Sequence, residues 1–317
     1  MDTTAVETNI HWPLESAQLW DTYRVMARLI EQARELDPAV VGNHRLQTRK
    51  AKRLYTKIAR KASKDVEKSK ATLRPLYESL IELTLTICEW SENVRLNLEQ
   101  GRKRWSELQW ATAEAIANEI AHYHHLGLRV IDQASRRVLD EEDVPNDEKV
   151  FSIFEPHTEL LKRGKAAKPI EFGHMTQIQQ VEGKFITDYE VFEKKPIEHE
   201  LLEPALESHK KLFGHYPEVV AADKGYYESM EVIERLNKKV NMVSIAKKGS
   251  RTEEEAARES DPDFRCAQRF RAGVEGTISY LKRMLGLFRC RNKGWEHYVS
   301  TVGAAIFTHN VLILAGT

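Results

Sequence analysis

Two acids in this chain sit where a carboxylate can do chemistry. VVAADKGYY, residues 219–227, runs four small or β-branched apolar residues into Asp223, Lys224 and Gly225. Such a run reads as a short buried strand, and an ionised carboxylate at its end needs a cation, a metal or water. Asp223 is therefore a turn residue or a site residue. Further along, Arg271, Glu275 and Lys282 fall at i, i+4 and i+11 of a helical pattern, beside the apolar stripe Val274, Ile278, Leu281, Leu285 and Phe288. Alone, the Arg–Glu pair is a helix-edge ion pair worth a few tenths of a kcal/mol. The functional alternative is a carboxylate held beside a core, with cations placed to meet phosphate oxygens, and it requires other carboxylates nearby. Asp2, in MDTTAVET, is a third candidate, although spacing alone does not single it out. Three carboxylates from separate elements suit phosphodiester hydrolysis or transfer, in which two Mg2+ or Mn2+ ions about 3.5 to 4 Å apart activate the attacking hydroxyl and stabilise the leaving oxygen.

The elements that must position these acids are legible in outline. Residues 1–13 read as the end of a strand and a loop closing at Pro13. Residues 14–139 are helical in pattern: Leu19, Tyr23, Met26, Leu29 and Ile30 share one face, and Leu76, Leu80, Leu83 and Ile87 form a stripe needing partners, so an antiparallel bundle is expected. DEEDVPNDEK, residues 140–149, marks a boundary. Beyond it, Ile170 and Phe172 alternate, and Ile178 faces Phe185 and Tyr189 across Glu182-Gly183 as in a hairpin. Helices are expected over 197–212, 227–237 and 268–288, strands over 218–222 and 241–246, and a last helix in YVSTVGAAIFTHNVLILAG. No internal repeat is evident. The organisation expected is residues 1–13 opening an α/β domain, 14–149 a helical insertion with a basic face, and 150–317 the rest of that domain.

At 317 residues, 41% apolar and 30% charged, the composition is that of a globular chain with a sizeable core. No window approaches 18 apolar residues, the start carries no signal-peptide pattern, and Cys88, Cys266 and Cys290 form no CxxC pair, so a membrane role is not expected and the thiols read as reduced and intracellular. The formal charge of zero conceals two cationic stretches. Residues 45–74 hold twelve Lys or Arg against Asp65 and Glu67, and residues 264–294 hold eight against Glu275. One such patch is ordinarily a solvated helix face; two in a neutral chain point to a polyanionic partner.

In order along the chain, DTTAVETNIHWPLESAQLWD, SIFEPHTELLKRGKAAKPIEFGH, VVAADKGYY and FRAGVEGTISYLKR resemble segments of bacterial insertion-sequence transposases of the DDE class, in the broad group related to the IS4 and IS5 types. The resemblance covers nearly the whole chain. It implies an RNase H-like fold: a mixed sheet with a large all-helical insertion after the first strand, the first acid on that strand, the second just after the fourth, and the glutamate on a following helix. It implies a triad of Asp2, Asp223 and Glu275 holding two Mg2+ or Mn2+ ions, with Arg271 and Lys282 as accompanying cations; the family's tyrosine falls on Gln268. Lys224 reads as a further phosphate contact. Double-stranded DNA, as transposon ends and target, is the implied partner, with a homodimer holding two ends and a cytoplasmic, nucleoid-associated location. Asp2 has only Met1 before it, so the chain reads as entering the first strand part-way, without the family's N-terminal DNA-binding region.

Other residues have plainer readings. His122, His124 and His125 read as structural, His157 and His174 as scaffold close to the site, and Trp105 as a base-stacking or bundle-core residue. The rival functions are an inactive, truncated transposase remnant and a noncatalytic DNA-binding helical protein built on residues 14–139.

Overall fold

The computed structural model describes residues 1–61, 66–162 and 169–316. The stretches 62–65, in the first basic region, and 163–168, in the segment beginning SIFEPHTELL, lie outside the described residues. Two compact units emerge, Met1–Asn9 with His157–Thr317, and Ile10–Pro156. The helical unit is thus wider at both ends than the 14–149 read from the sequence.

The helical unit contains α1 (Glu15–Leu36), α2 (Pro38–Val41), α3 (Thr48–Lys61), α4 (Val66–Gln100) and α5 (Glu107–Val138). Its core gathers the stripe expected on α1, with Leu19, Tyr23, Met26, Leu29 and Ile30 all buried, against Leu80, Leu83 and Ile87 of α4 and Ile116 and Ile120 of α5. Ser106 caps α5 through a capping box with Gln109. On α3 only Ala51, Leu54 and Ile58 are buried. That spacing leaves Arg49, Lys50, Lys52, Arg53, Lys57, Arg60 and Lys61 exposed on a cationic face. Trp105 packs on this core rather than standing free, its ring so close to Gly101 that an added Cβ would meet it at 2.6 Å.

The other unit is α/β. β1 (Asp2–Glu7) lies antiparallel to β3 (Ile170–Gln180), whose opposite edge carries β2 (Glu159–Lys162) and then β4 (Ile186–Val191). The hairpin forms with Ile178 opposite Tyr189 as expected, but Phe185 precedes β4 and does not pair with Ile178, and a register shift at Gln179/Gln180 sets Gln180 against Ile186. β5 (Val219–Ala221) pairs in parallel with β6 (Met242–Ser244), joined through α7 (Met230–Leu236). α6 (Leu202–Phe213) precedes β5, and α8 (Glu253–Ser260), α9 (Pro262–Met284) and α10 (Trp295–Leu314) complete the unit.

Two local readings are corrected. The helix expected at 268–288 begins at Pro262, because Asp261 accepts hydrogen bonds from the Asp263 and Phe264 amides and proline suits the first turn. It ends at Met284, and Gly286 then takes a positive φ of 75°. Phe288 therefore leaves the stripe and is 51% exposed, while Val274, Ile278 and Leu281 remain in the core. The expectation of no long apolar window also fails: α10 is long and apolar enough, by length and composition, to cross a membrane. In the fold it lies against the sheet, its Tyr298 hydroxyl donating to Val6 O (2.6 Å) and Asn310 bonding both backbone groups of Ile186 (3.0 and 2.8 Å).

Candidate active site

β1 begins the construction. Thr3, Thr4 and Val6 are β-branched residues suited to a pleated, buried strand. Six-residue pairing with β3 fixes Asp2 opposite Ile178. On its other flank the Met1 amino nitrogen donates to Ala221 O (2.7 Å), which places the end of β5 beside the start of β1. Two residues later comes Asp223, which leads into the turn Lys224–Tyr226 without a side-chain cap.

α9 supplies the third side. Gln268 Nε2 donates to Ser244 O at 2.6 Å, with Ser244 Oγ at 3.2 Å and Ala222 O at 3.4 Å, tying the helix to the ends of both parallel strands. One turn on, Arg271 reaches all three acids. Its Nη1 stands 3.5 Å from Asp2 Oδ2 and 3.8 Å from Asp223 Oδ1, and its Nη2 is 2.9 Å from Glu275 Oε1. Residues from a strand, a strand end and a helix thus meet on one planar guanidinium.

The acids differ in their surroundings. Asp2 is 13% exposed at the side chain, Asp223 54% and Glu275 61%. Burial raises the Asp2 carboxyl above its usual value, opposed by the Thr3 amide that donates to it and by Arg271; the Asp223 charge adds to the rise. Arg271 is largely buried and its Nε has no hydrogen-bond partner among the described residues. Lys224 is exposed next to Asp223, and Lys282 is half-buried two helical turns beyond Glu275, about 10 Å along the axis. The structure brings Asp2, Asp223, Glu275 and Arg271 together and leaves the two lysines on the margins.

Around these acids stand residues with no signal in the sequence pattern. Thr3 Oγ1 donates to Glu198 Oε1 (2.7 Å), and Glu198 lies against Gly225 so closely that any Cβ there would collide with its carboxylate. The glycine thus serves a close approach by a protein side chain. Tyr226 is buried beside the acids, accepts from Gln177 Nε2 (3.2 Å), and has its phenol pKa raised by burial.

His157, in the turn before β2, and His174, on β3, form a structural pair. His174 Nδ1 faces Phe192 O (3.2 Å) and Glu193 O (3.1 Å) and so carries the hydrogen, leaving Nε2 to accept from His157 Nδ1 (2.7 Å). Trp295 and Tyr298 pack edge-on against His174. His174 pairs with Val6, at the opposite end of β1 from Asp2.

An all-carboxylate donor set fits hard divalent ions such as Mg2+ or Mn2+ by type. Among the described residues, however, no group of three or more His, Cys, Asp or Glu side chains is already disposed to hold a metal ion. The guanidinium that all three acids face is the cation of the cluster. Comparison with known proteins returned no match among family models, curated proteins or solved structures.

Proposed function

We propose that this chain is a DDE-type DNA transposase, its α/β unit an RNase H-like catalytic domain that cleaves and transfers phosphodiesters at insertion-sequence ends. The observation that carries the reading is the convergence of Asp2, Asp223 and Glu275, from positions 2, 223 and 275, on the single guanidinium of Arg271. The strand arrangement is consistent with it: β1 and β4 flank β3 in antiparallel fashion, β5 and β6 are parallel, and the Met1–Ala221 bond sets β5 beside β1.

In this reading Asp2, Asp223 and Glu275 hold two Mg2+ or Mn2+ ions, which when bound supply Lewis acidity to the scissile phosphate and its nucleophile. The protein's own groups do the remaining work. Asp2 is the shielded, fixed ligand, while Asp223 and Glu275 face solvent where a duplex can approach. Arg271, Lys224 and Lys282 position or neutralise phosphate oxygens of transposon-end and target DNA. The cationic face of α3 adds salt-dependent, sequence-tolerant affinity. A homodimer holding two ends and a nucleoid-associated location belong to the same proposal.

The placement of Arg271 among the three acids suits one second reading, a catalytically inactive transposase remnant. Duplexes bearing the element's own terminal repeats, incubated with the chain and Mg2+ or Mn2+, separate the two. Cleavage that disappears in Glu275→Gln supports the transposase; cleavage unchanged by that substitution, or none under either metal, removes it.

A further inference from the structure

We propose that Arg271 is an exchange residue, partly offsetting the charge of the three acids in the metal-free protein and passing to a DNA phosphate when divalent ions load. The proposal rests on the transposase reading. It starts from a geometric conflict: the nitrogen of Arg271 that faces Asp2 also faces Asp223, so a cation shared by those two acids and the guanidinium compete for the same space. A divalent ion draws its oxygens in to about 2.0–2.6 Å, closer than any nitrogen–oxygen distance here, and repels a guanidinium left beside it.

Where the guanidinium can go is set by its anchorage. Nη2 bonds Glu275 one turn along the same helix, within an exposed surface, whereas Nη1 reaches inward at longer distances of 3.5 and 3.8 Å. The inward contacts are the weaker and yield first. Nε is buried without a partner among the described residues, so the present position leaves one of the donors unused there. A phosphate accepts two parallel N–H bonds from a guanidinium, a geometry that an ammonium does not reproduce. Metal loading frees the fork for phosphate, and phosphate binding removes a competitor of the metal. By linkage each ligand then tightens the other by the same factor.

The test is Mn2+ binding followed by electron paramagnetic resonance, with and without a short duplex, corrected for ion held by the duplex alone. In the wild-type protein the duplex raises Mn2+ affinity by about tenfold, within the usual range of coupling between sites. Arg271→Gln binds Mn2+ at least about fivefold more tightly than wild type without DNA, because a competing positive charge is gone, and loses most of the duplex effect. Arg271→Lys keeps the charge without the fork, so its DNA-free affinity stays near wild type while the duplex effect shrinks. If Arg271→Gln weakens Mn2+ binding as Glu275→Gln does, the guanidinium is scaffold and the exchange is wrong while the metal site stands. If the wild-type protein binds no Mn2+ with or without duplex, the transposase reading falls and the exchange with it.

Discussion

Gly225 has no room for a side chain, while an added Cβ at Gly273, between Arg271 and Glu275 on α9, meets no neighbouring atom of the described residues within 4 Å outside its own helix backbone. Gly225→Ala must push Glu198 aside and break its bond to Thr3, and is expected to cost about 1–3 kcal/mol in urea unfolding. Gly273→Ala is expected to add about 0.5–1 kcal/mol, by helix propensity alone. Equal effects from the two would show that Glu198 is not held against Gly225 in solution. Residues of the site were unevenly legible. Asp223 stood at a visible strand end and Glu275 on a visible helix, because both elements have apolar patterns of recognisable period. Asp2 came through family resemblance, since an acid opening a strand has no periodic mark. Glu198 was invisible: it belongs to a short 3-10 turn, where position depends on tertiary contact.

At the level of elements, β3 carries a pH dependence. Burial, aided by the neighbouring His157, lowers His174 to about 4 from its ordinary 6.5. The native protein keeps this imidazole neutral where the unfolded chain protonates it, so stability is whole above pH 6.5 and declines as pH falls toward 4. The loss from this group amounts to about 3 kcal/mol, and His174→Gln should flatten that part of the stability profile. Asp2 acts with opposite sign: its raised carboxyl retains a proton that the unfolded chain releases, so its contribution declines as pH rises from the ordinary carboxylate value through the raised one. α10 offers a second measurement. Asn310→Ala strands the amide and carbonyl of Ile186 at the start of β4, and a loss of about 2 kcal/mol is expected in denaturant unfolding. The sequence conveyed the existence of these elements better than their ends. α9 starts where Asp261-Pro262 caps it, and α8 was not anticipated because only Glu255 of its eight residues is buried.

For the whole molecule, the change of pattern in the sequence set the helical bounds at 14 and 149, whereas the compact helical unit, with a core of its own, is Ile10–Pro156. Under the transposase proposal the exposed cations of α3 bind phosphate, so Lys50→Ala, Arg53→Ala and Lys57→Ala together should reduce the slope of log affinity against log salt by about 0.9 per lost contact. An unchanged slope would assign DNA contact elsewhere. What neither period nor charge could convey was the way β1 and α9 are joined at both ends. At the Asp2 end the join is through Arg271, whereas past α9 the backbone itself is stitched: Glu7 N donates to Phe288 O (3.2 Å) and Cys290 N to Glu7 O (2.8 Å). A helix moored in this way resists sliding along its axis. With Gln268 also holding its near end to Ser244 and Ala222, release of Arg271 frees a side chain and leaves the helix in place, so the acids shed a clasp without parting.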